Sequence, residues 1–182
     1  MAETAEGFRC DERTLRRYMS QGLLRGERRG REIRLPHREE LYLKEHWALL
    51  SGLRRALRTE HRVRLAVLFG STATGEDLPG SDVDLLVGHS TGDFAQVAEL
   101  RRRLQAHVDR PIHLVLLEDA EQTPMLLADI LDEGRVIVDR DGSWRRLTSR
   151  RKEVLDDAAA EEIAIHAGAR QAIAAARARL DA

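Results

Sequence analysis

A glycine-serine turn followed by a pair of aspartates constrains this chain more than any other feature. An apolar segment ends at Gly70-Ser71, and eleven positions after the serine Asp82 and Asp84 open a second apolar segment. Side chains at i and i+2 of a β-strand point to the same face, so we expect the two carboxylates to lie together. Clustered carboxylates suit a hard divalent cation such as Mg²⁺, and a glycine-serine turn offers backbone N–H groups and a hydroxyl to phosphates. The pattern predicts nucleotide chemistry.

The charge is distributed unevenly along the 182 residues. Residues 1–64 contain 16 basic and 10 acidic side chains, a net charge of +6, whereas the remainder contains 14 and 21, a net charge of −7. A chain of this length suffices for one medium domain or two small ones. The asymmetry predicts a basic N-terminal module and an acidic body with different partners.

Composition also excludes several classes of protein. No apolar run approaches the ~18–20 residues of a membrane span, and the first residues lack the basic and apolar regions of a secretory signal. Because Cys10 is the only cysteine, an intrachain disulfide and a cysteine zinc cluster are excluded. We therefore expect a cytoplasmic protein that makes no contact with membranes.

Hydrophobic periodicity predicts an α+β fold with a small mixed β-sheet and flanking helices. The predicted strands span residues 63–69, 83–87, 112–117 and 135–138, and the predicted helices span residues 11–19, 37–60, 93–107, 124–131 and 144–180. The last helix is alanine-rich, and its apolar stripe either packs on the sheet or the long helix of residues 37–60, or contacts another chain, including a second copy of this one.

Residues 62–140 resemble the minimal nucleotidyltransferase family, small relatives of DNA polymerase β. The signature of that family is Gly-Ser, a spacer of nine to ten residues and Asp-x-Asp. Here Gly70-Ser71 is followed by ten residues and then by Asp82-Val83-Asp84. The apolar strand before the turn and the apolar strand that carries the aspartates fit the same pattern.

The resemblance implies a reaction and a role for each matching residue. Asp82 and Asp84 would hold Mg²⁺, which bridges the triphosphate of a bound NTP, with ATP the expected one. Gly70 would let the backbone approach the phosphates, and Ser71 would hydrogen-bond the β- or γ-phosphate. Ser81 would close the turn and orient Asp82. The implied reaction is transfer of NMP from the NTP to a hydroxyl of a protein or RNA acceptor, with loss of pyrophosphate.

The third carboxylate of the family pattern is replaced by His113, which interrupts the apolar strand of residues 112–117. Three interpretations stay open. The histidine is a buried neutral residue bonded to the backbone, or it serves as a general base or metal ligand, or catalysis is weakened or lost while nucleotide binding survives.

The N-terminal segment resembles a winged helix-turn-helix of the MerR type. Residues 13–18 read as a helix, residues 22–24 as a glycine-leucine-leucine turn and residues 25–35 as a basic hairpin with Gly30 near its turn. The arginines expected to contact DNA phosphates are Arg13, Arg16, Arg17, Arg28, Arg29 and Arg31. A solvated face whose arginines pair with neighbouring glutamates is the alternative.

Together these patterns predict a winged-helix module at residues 1–36, a connecting helix at 37–61, a nucleotidyltransferase core at 62–142 and a helical segment at 143–182. Family members commonly act in bacterial toxin–antitoxin pairs, as antitoxins that nucleotidylate a partner toxin or as toxins that modify tRNA. A DNA-binding module favours an antitoxin that regulates its own transcription. The alternatives are a transcriptional regulator that binds nucleotide without catalysis, and a protein–protein adaptor.

Overall fold

A four-stranded mixed β-sheet organises the molecule. The computed structural model describes residues 12–29, 32–89 and 94–180. The elements in chain order are α1 (Glu12–Ser20), β1 (Glu27–Arg29), β2 (Glu32–Arg34), α2 (His37–Arg58), β3 (Val63–Phe69), α3 (Ser71–Thr74), β4 (Val83–His89), α4 (Phe94–Gln105), β5 (Ile112–Leu116), α5 (Leu117–Ala120), α6 (Pro124–Glu133), β6 (Arg135–Asp139), α7 (Ser143–Ser149) and α8 (Arg151–Leu180). The α+β prediction is confirmed, and the four predicted core strands lie within two residues of the observed ones.

The strand order of the sheet is β5-β4-β3-β6. The central strand β3 pairs antiparallel with both β4 and β6, whereas β4 pairs parallel with β5. β3 and β4 form a hairpin-like pair through the loop that carries the Gly-Ser turn, so the end of β3 lies beside the start of β4. This topology brings the two halves of the sequence signature together.

Helices cover both faces of the sheet. Alternate residues of β3 point to opposite faces, as the period of two requires: Ala66 and Leu68 join one core with α2 and α4, and Leu65 and Val67 join the other with α6, α7 and the start of α8. All four of these side chains are fully buried. A strand buried on both faces reads as a continuous apolar run, which explains the pattern of residues 65–69, whereas Arg64 near the start of the strand is exposed.

The N-terminal helix ends at a glycine. Gly22 has φ +81°, the N–H of Leu23 donates to the carbonyl of Tyr18 at 2.9 Å and the N–H of Gly22 donates to Met19 at 3.0 Å. This pair of bonds is a Schellman motif, which favours glycine at the left-handed position.

The predicted basic hairpin is confirmed by the antiparallel pairing of β1 with β2. Gly30 and Asp11, the first residue of the predicted helix, lie outside the described residues.

The basic N-terminal segment packs into the main body. Leu15, Leu23, Leu24 and Leu35 belong to the same hydrophobic cluster as α2 and one face of the sheet. The division of the chain at residues 36, 61 and 142 stays a prediction, although apolar packing is continuous across the first of these positions.

The C-terminal helical segment differs from the single helix predicted over residues 144–180. It divides at Arg150 into α7 and α8. Val154 is buried beside α6 and α7, but beyond residue 158 the described side chains of α8 are exposed or half-buried, Ile163 and Ile173 among them. This part of α8 therefore does not pack on the sheet or on α2. Within the described ranges, no helix has both the length and the apolar character needed to cross a membrane.

Candidate active site

Asp84 lies at the junction of three strands. On one side it is paired with Phe69, the last residue of β3, and on the other side with His113 of β5. Because Gly70 follows Phe69 directly, the glycine turn, the aspartate and the histidine are brought side by side at one end of the sheet. The sequence separates these residues by up to 43 positions, and the pairing register unites them.

The backbone at Gly70 lies directly against the carboxylate of Asp84. Gly70 has φ +71° and ψ −162°, and a Cβ atom at this position would lie 2.8 Å from Oδ2 of Asp84. Positive φ favours glycine because it has no Cβ atom. Glycine is therefore required here both for the turn and for the space that the carboxylate occupies.

His113 contacts the other oxygen of the same carboxylate. Its Nδ1 lies 3.1 Å from Oδ1 of Asp84, and its side chain is 63% exposed, compared with 26% for that of Asp84. The interpretation of His113 as a buried histidine bonded to backbone is therefore wrong. β5 is an edge strand, so a residue that interrupts its apolar pattern need not be buried. The other two interpretations of His113 are compatible with this contact.

Three further predicted site residues lie between Gly70 and Asp84 in the sequence, namely Ser71, Ser81 and Asp82. Ser71 begins α3 and Asp82 directly precedes β4, and both residues are exposed. Ser81 closes the turn before Asp82, because its Oγ accepts a hydrogen bond from the N–H of Leu78 at 2.9 Å. In residues 12–29, 32–89 and 94–180, no group of three or more His, Cys, Asp or Glu side chains is arranged to hold a metal ion. A metal site here would therefore rest on the aspartate pair.

Arg110 forms hydrogen bonds with α3 and with the loop that connects α3 to β4. Its guanidinium donates to the carbonyl of Ser81 at 2.7 Å, to Oδ2 of Asp77 at 2.6 Å and to Oγ1 of Thr72 at 2.9 Å. Thr72 in turn donates to the carbonyl of Asp82 at 3.0 Å. The residue after Ser71 is thus held to the backbone of the first aspartate by a hydrogen-bond network.

The hydrogen-bond network of Arg110 extends through Asp77 to His46 and Tyr42 of α2. His46 contacts Oδ1 of Asp77 through Nε2 at 2.8 Å and the carbonyl of Tyr42 through Nδ1 at 3.0 Å, and its ring stacks on Tyr42 with centroids 4.4 Å apart. Burial raises the pKa of Asp77, but hydrogen bonds from His46 and Arg110 outweigh it, so the pKa lies below its ordinary value. Burial raises the pKa of Tyr42 to about 12, and its neutral hydroxyl donates to the carbonyl of Thr72 at 3.1 Å.

Sequence reasoning missed these supporting residues. Asp77 lies between the two halves of the signature, but a single acidic residue in a polar loop carries no distinguishing pattern. Arg110 and His46 are 33 and 31 positions away from Asp77 in the sequence. Only the return of β5 alongside β4 and the packing of α2 bring the three together.

The predicted DNA-contacting arginines are described in part. Arg13, Arg16 and Arg17 are exposed on α1, where Arg16 pairs with Glu12 and Arg17 lies over the ring of Tyr18 at 5.4 Å. Arg28 and Arg29 lie in β1, with only their backbone described, and Arg31 lies outside the described residues. DNA binding by these residues stays a prediction.

Comparison with known proteins identifies the domain. The model of the family described as "Polymerase beta, Nucleotidyltransferase" matches residues 52–143. The chain belongs to this nucleotidyltransferase family. The match begins in α2 and includes the whole four-stranded sheet, and with it Gly70, Asp84 and His113. No curated protein matches the sequence significantly.

Solved structures support the same fold for this nucleotidyltransferase. One is the crystal structure of a toxin–antitoxin with AMP-PNP, to which the chain is 23% identical, with a TM-score of 0.56 over 66% of this chain and 98% of that chain. Another is the toxin–antitoxin MntA-HepT, at 21% identity and a TM-score of 0.51, over 66% of this chain and 96% of that chain. At these identities the likeness concerns the fold.

Proposed function

We propose that this protein transfers NMP from an NTP, ATP above all, to a hydroxyl of a protein or RNA acceptor. The contact between the Gly70 turn and the Asp84 carboxylate carries the proposal, because it puts a backbone suited to phosphates beside a carboxylate suited to a cation. Ser71 and Asp82 flank this contact and are open to solvent. The family membership supports the same reaction class.

Mg²⁺ is the proposed cofactor. The donor set fits it, since Asp82 and Asp84 offer hard carboxylate oxygens, whereas the imidazole of His113 is a poorer ligand for Mg²⁺. When bound, the metal would neutralise charge on the triphosphate. In this arrangement His113 positions Asp84, because an N–H from Nδ1 to Oδ1 fixes the orientation of the carboxylate.

We further propose that the protein acts as the antitoxin-like member of a toxin–antitoxin pair. Both similar crystal structures described above are toxin–antitoxin structures, which supports a partner toxin as the acceptor. Arg13, Arg16 and Arg17 on the exposed side of α1 would bind DNA and give autoregulation. A transcriptional regulator that binds nucleotide without catalysis is the second candidate, because His113 replaces the third carboxylate.

The proposal is tested by label transfer. Purified protein is incubated with each α-³²P-labelled NTP and Mg²⁺, alone, with host lysate and with total tRNA, beside the Asp82→Ala variant. We expect a labelled protein or RNA band that the variant does not produce. If no band forms and calorimetry still detects NTP binding, the non-catalytic regulator is the correct function. A band of equal intensity with the variant would contradict the assignment of Asp82.

Arg110→Ala is expected to lower the rate of transfer at saturating nucleotide about 10- to 100-fold. The change removes charge-assisted hydrogen bonds worth about 1.5–3 kcal/mol each and releases both Thr72 and the backbone before Asp82. The guanidinium is bonded to Ser81, Asp77 and Thr72 and would act by positioning them, so the loss should fall on kcat more than on KM. Steady-state kinetics of Arg110→Ala, Arg110→Lys and the surface control Arg101→Ala provide the measurement.

The lysine variant should recover part of the rate, since it keeps the charge beside Asp77 but not the fork that reaches Ser81 and Thr72. A general loss of stability would instead reduce the active fraction without a specific change in kcat per folded molecule. Wild-type kcat in the alanine variant would show that the network does not position the site.

A further inference from the structure

A cleft lies at the end of the sheet opposite Asp84. It has a volume of about 500 Å³ and is bounded by α1, the last turns of α2 and the edge strand β6. Its residue Asp139 is paired with Leu65 in the first half of β3, whereas Asp84 is paired with Phe69 at the other end. Four residues of extended strand separate these positions by roughly 13 Å. The cleft is therefore distinct from the nucleotide site.

Two arginines of the cleft are oriented by hydrogen bonds to backbone carbonyls. Arg54 donates to the carbonyl of Ile137 at 2.9 Å and lies over the ring of Tyr18 at 4.4 Å. Arg140 donates to the carbonyl of Leu57 at 2.8 Å and to that of Arg58 at 3.4 Å. The two acceptors of Arg140 are neutral, so its guanidinium is held at the wall of the cleft as a cation.

Two further arginines add positive charge to the cleft. Arg55 and Arg58 line the cleft and are exposed, and within the described part of the chain neither forms an ion pair. Asp139 is the acidic residue of the lining. The C-terminal end of a helix carries the equivalent of roughly −0.5 charge, so the end of α2 and Asp139 together offset fewer than two of the three positive charges of Arg55, Arg58 and Arg140.

We propose that this distal arginine cleft, whose cations are Arg55, Arg58 and Arg140, binds the phosphodiester backbone of a nucleic acid. Guanidinium groups match phosphate geometry and remain charged at any physiological pH. These three arginines lie outside the predicted DNA-contacting set, and their role does not depend on nucleotidyl transfer. An extended polyanion needs a positive surface longer than the cleft, and the exposed Arg17 of α1, next to the lining residue Tyr18, extends it.

The test measures binding of fluorescein-labelled probes by anisotropy across a series of salt concentrations. The probes are a duplex DNA of mixed sequence, a single-stranded DNA of the same length and an RNA hairpin. The variant is Arg55→Ser with Arg58→Ser, which alters exposed side chains only. We expect at least about tenfold weaker binding, and a plot of log K against log salt whose slope is shallower by about 0.9 for each lost duplex contact. The probe whose affinity decreases most shows whether the cleft binds the backbone of duplex DNA, of single-stranded DNA or of RNA.

Arg101→Ser with Lys152→Ser is the matched control. It removes the same formal charge from exposed positions on α4 and α8, which are not part of the cleft. Equal weakening by this control, unchanged binding in the cleft variant, or no binding of any probe would overturn the proposal. Displacement of the probe by polyglutamate at the same charge concentration would indicate an acidic protein partner instead. Label transfer to a protein acceptor by the cleft variant should equal that of the wild type, so failure of the cleft and failure of the transferase are distinguishable.

Discussion

Gly70→Ala is expected to reduce nucleotidyl transfer at least about 100-fold. The added methyl carbon would lie 2.8 Å from Oδ2 of Asp84, so either the carboxylate or the turn must move. A displacement of about 1 Å at a reacting site can cost a factor of 10² in rate. The effect should appear in kcat/KM, because both the phosphate-facing backbone and the carboxylate are displaced. Initial rates of label transfer measure it.

Gly80→Ala is the matched control. Gly80 has φ +89°, similar to the +71° of Gly70, but a Cβ atom at this position meets nothing within 4 Å. Both variants therefore place an alanine at positive φ, where a side chain is strained. At Gly70 the ψ of −162° lies in a region that is essentially restricted to glycine and costs of order 1–3 kcal/mol. Only Gly70→Ala also disturbs Asp84. Similar urea midpoints with very different transfer rates would confirm the contact. Equal rates in the two variants would show that strain alone decides the outcome.

The sheet was predictable because its strands follow simple patterns. From residue 65 to residue 69, β3 is buried on both faces, so these residues form an uninterrupted apolar run; the exposed Arg64 separates this run from the buried Val63. The turn after it needs a glycine at positive φ, and the sequence supplies Gly70. The proximity of Asp84 to that turn follows once β3 and β4 are paired antiparallel. The contact between the Gly70 turn and Asp84 could therefore be predicted from the sequence.

The environment of His113 could not be predicted from the sequence. A polar residue inside an apolar strand can be exposed to very different extents: Asp84 of the central strand β4 is 26% exposed, and His113 of the edge strand β5 is 63% exposed. No local pattern of the sequence distinguishes the two positions. β5 lies at the edge of the sheet because the chain crosses over from β4 through α4 and then continues to α5 and α6. The exposure of His113 is thus a property of the topology.

The division of the C-terminal helix at Arg150 was missed for a related reason. Residues 144–180 are rich in alanine and arginine, which have high helix propensity. Neither glycine nor proline marks the break, and Thr148 and Ser149, which precede it, have only moderate propensity. Arg150, with φ −96° and ψ 8°, lies between α7, which contributes the buried Leu147, and α8. The next residue, Arg151, donates to the carbonyl of Leu131 in α6 at 2.8 Å, a tertiary contact that the helix propensity of the segment does not indicate.

Arg135→Met is expected to lower the free energy of unfolding by about 3–5 kcal/mol. Arg135 is 2% exposed and forms a two-bond ion pair with Glu39, which is 4% exposed. Its guanidinium also lies 3.6 Å from the centroid of the Tyr42 ring. Removal of the arginine leaves the buried carboxylate of Glu39 without this counter-ion, and an uncompensated buried charge strongly destabilises the folded state. Urea unfolding at neutral pH measures the change.

The matched comparison is Arg102→Met, which breaks an ion pair with Glu99 on the exposed surface of α4. Such pairs contribute little, so this variant should unfold close to the wild type. Glu39→Gln combined with Arg135→Met should be less destabilised than the sum of the single changes, because a neutral amide no longer needs the counter-ion. Additive single and double effects would contradict the ion pair as the source of the stability.

The location of Arg135 extends this prediction to the active site. Its guanidinium donates to the carbonyl of Ala73 in α3 at 2.7 Å and to the carbonyl of Leu23 after α1 at 3.3 Å. One buried side chain therefore holds the turn after Ser71 and the N-terminal segment against the sheet. Under conditions where the Arg135→Met variant is still folded, we expect a lower kcat for transfer, because α3 loses the hydrogen bond from Arg135 to Ala73. If folded Arg135→Met transfers at the wild-type rate, the hydrogen bond to Ala73 contributes to stability alone.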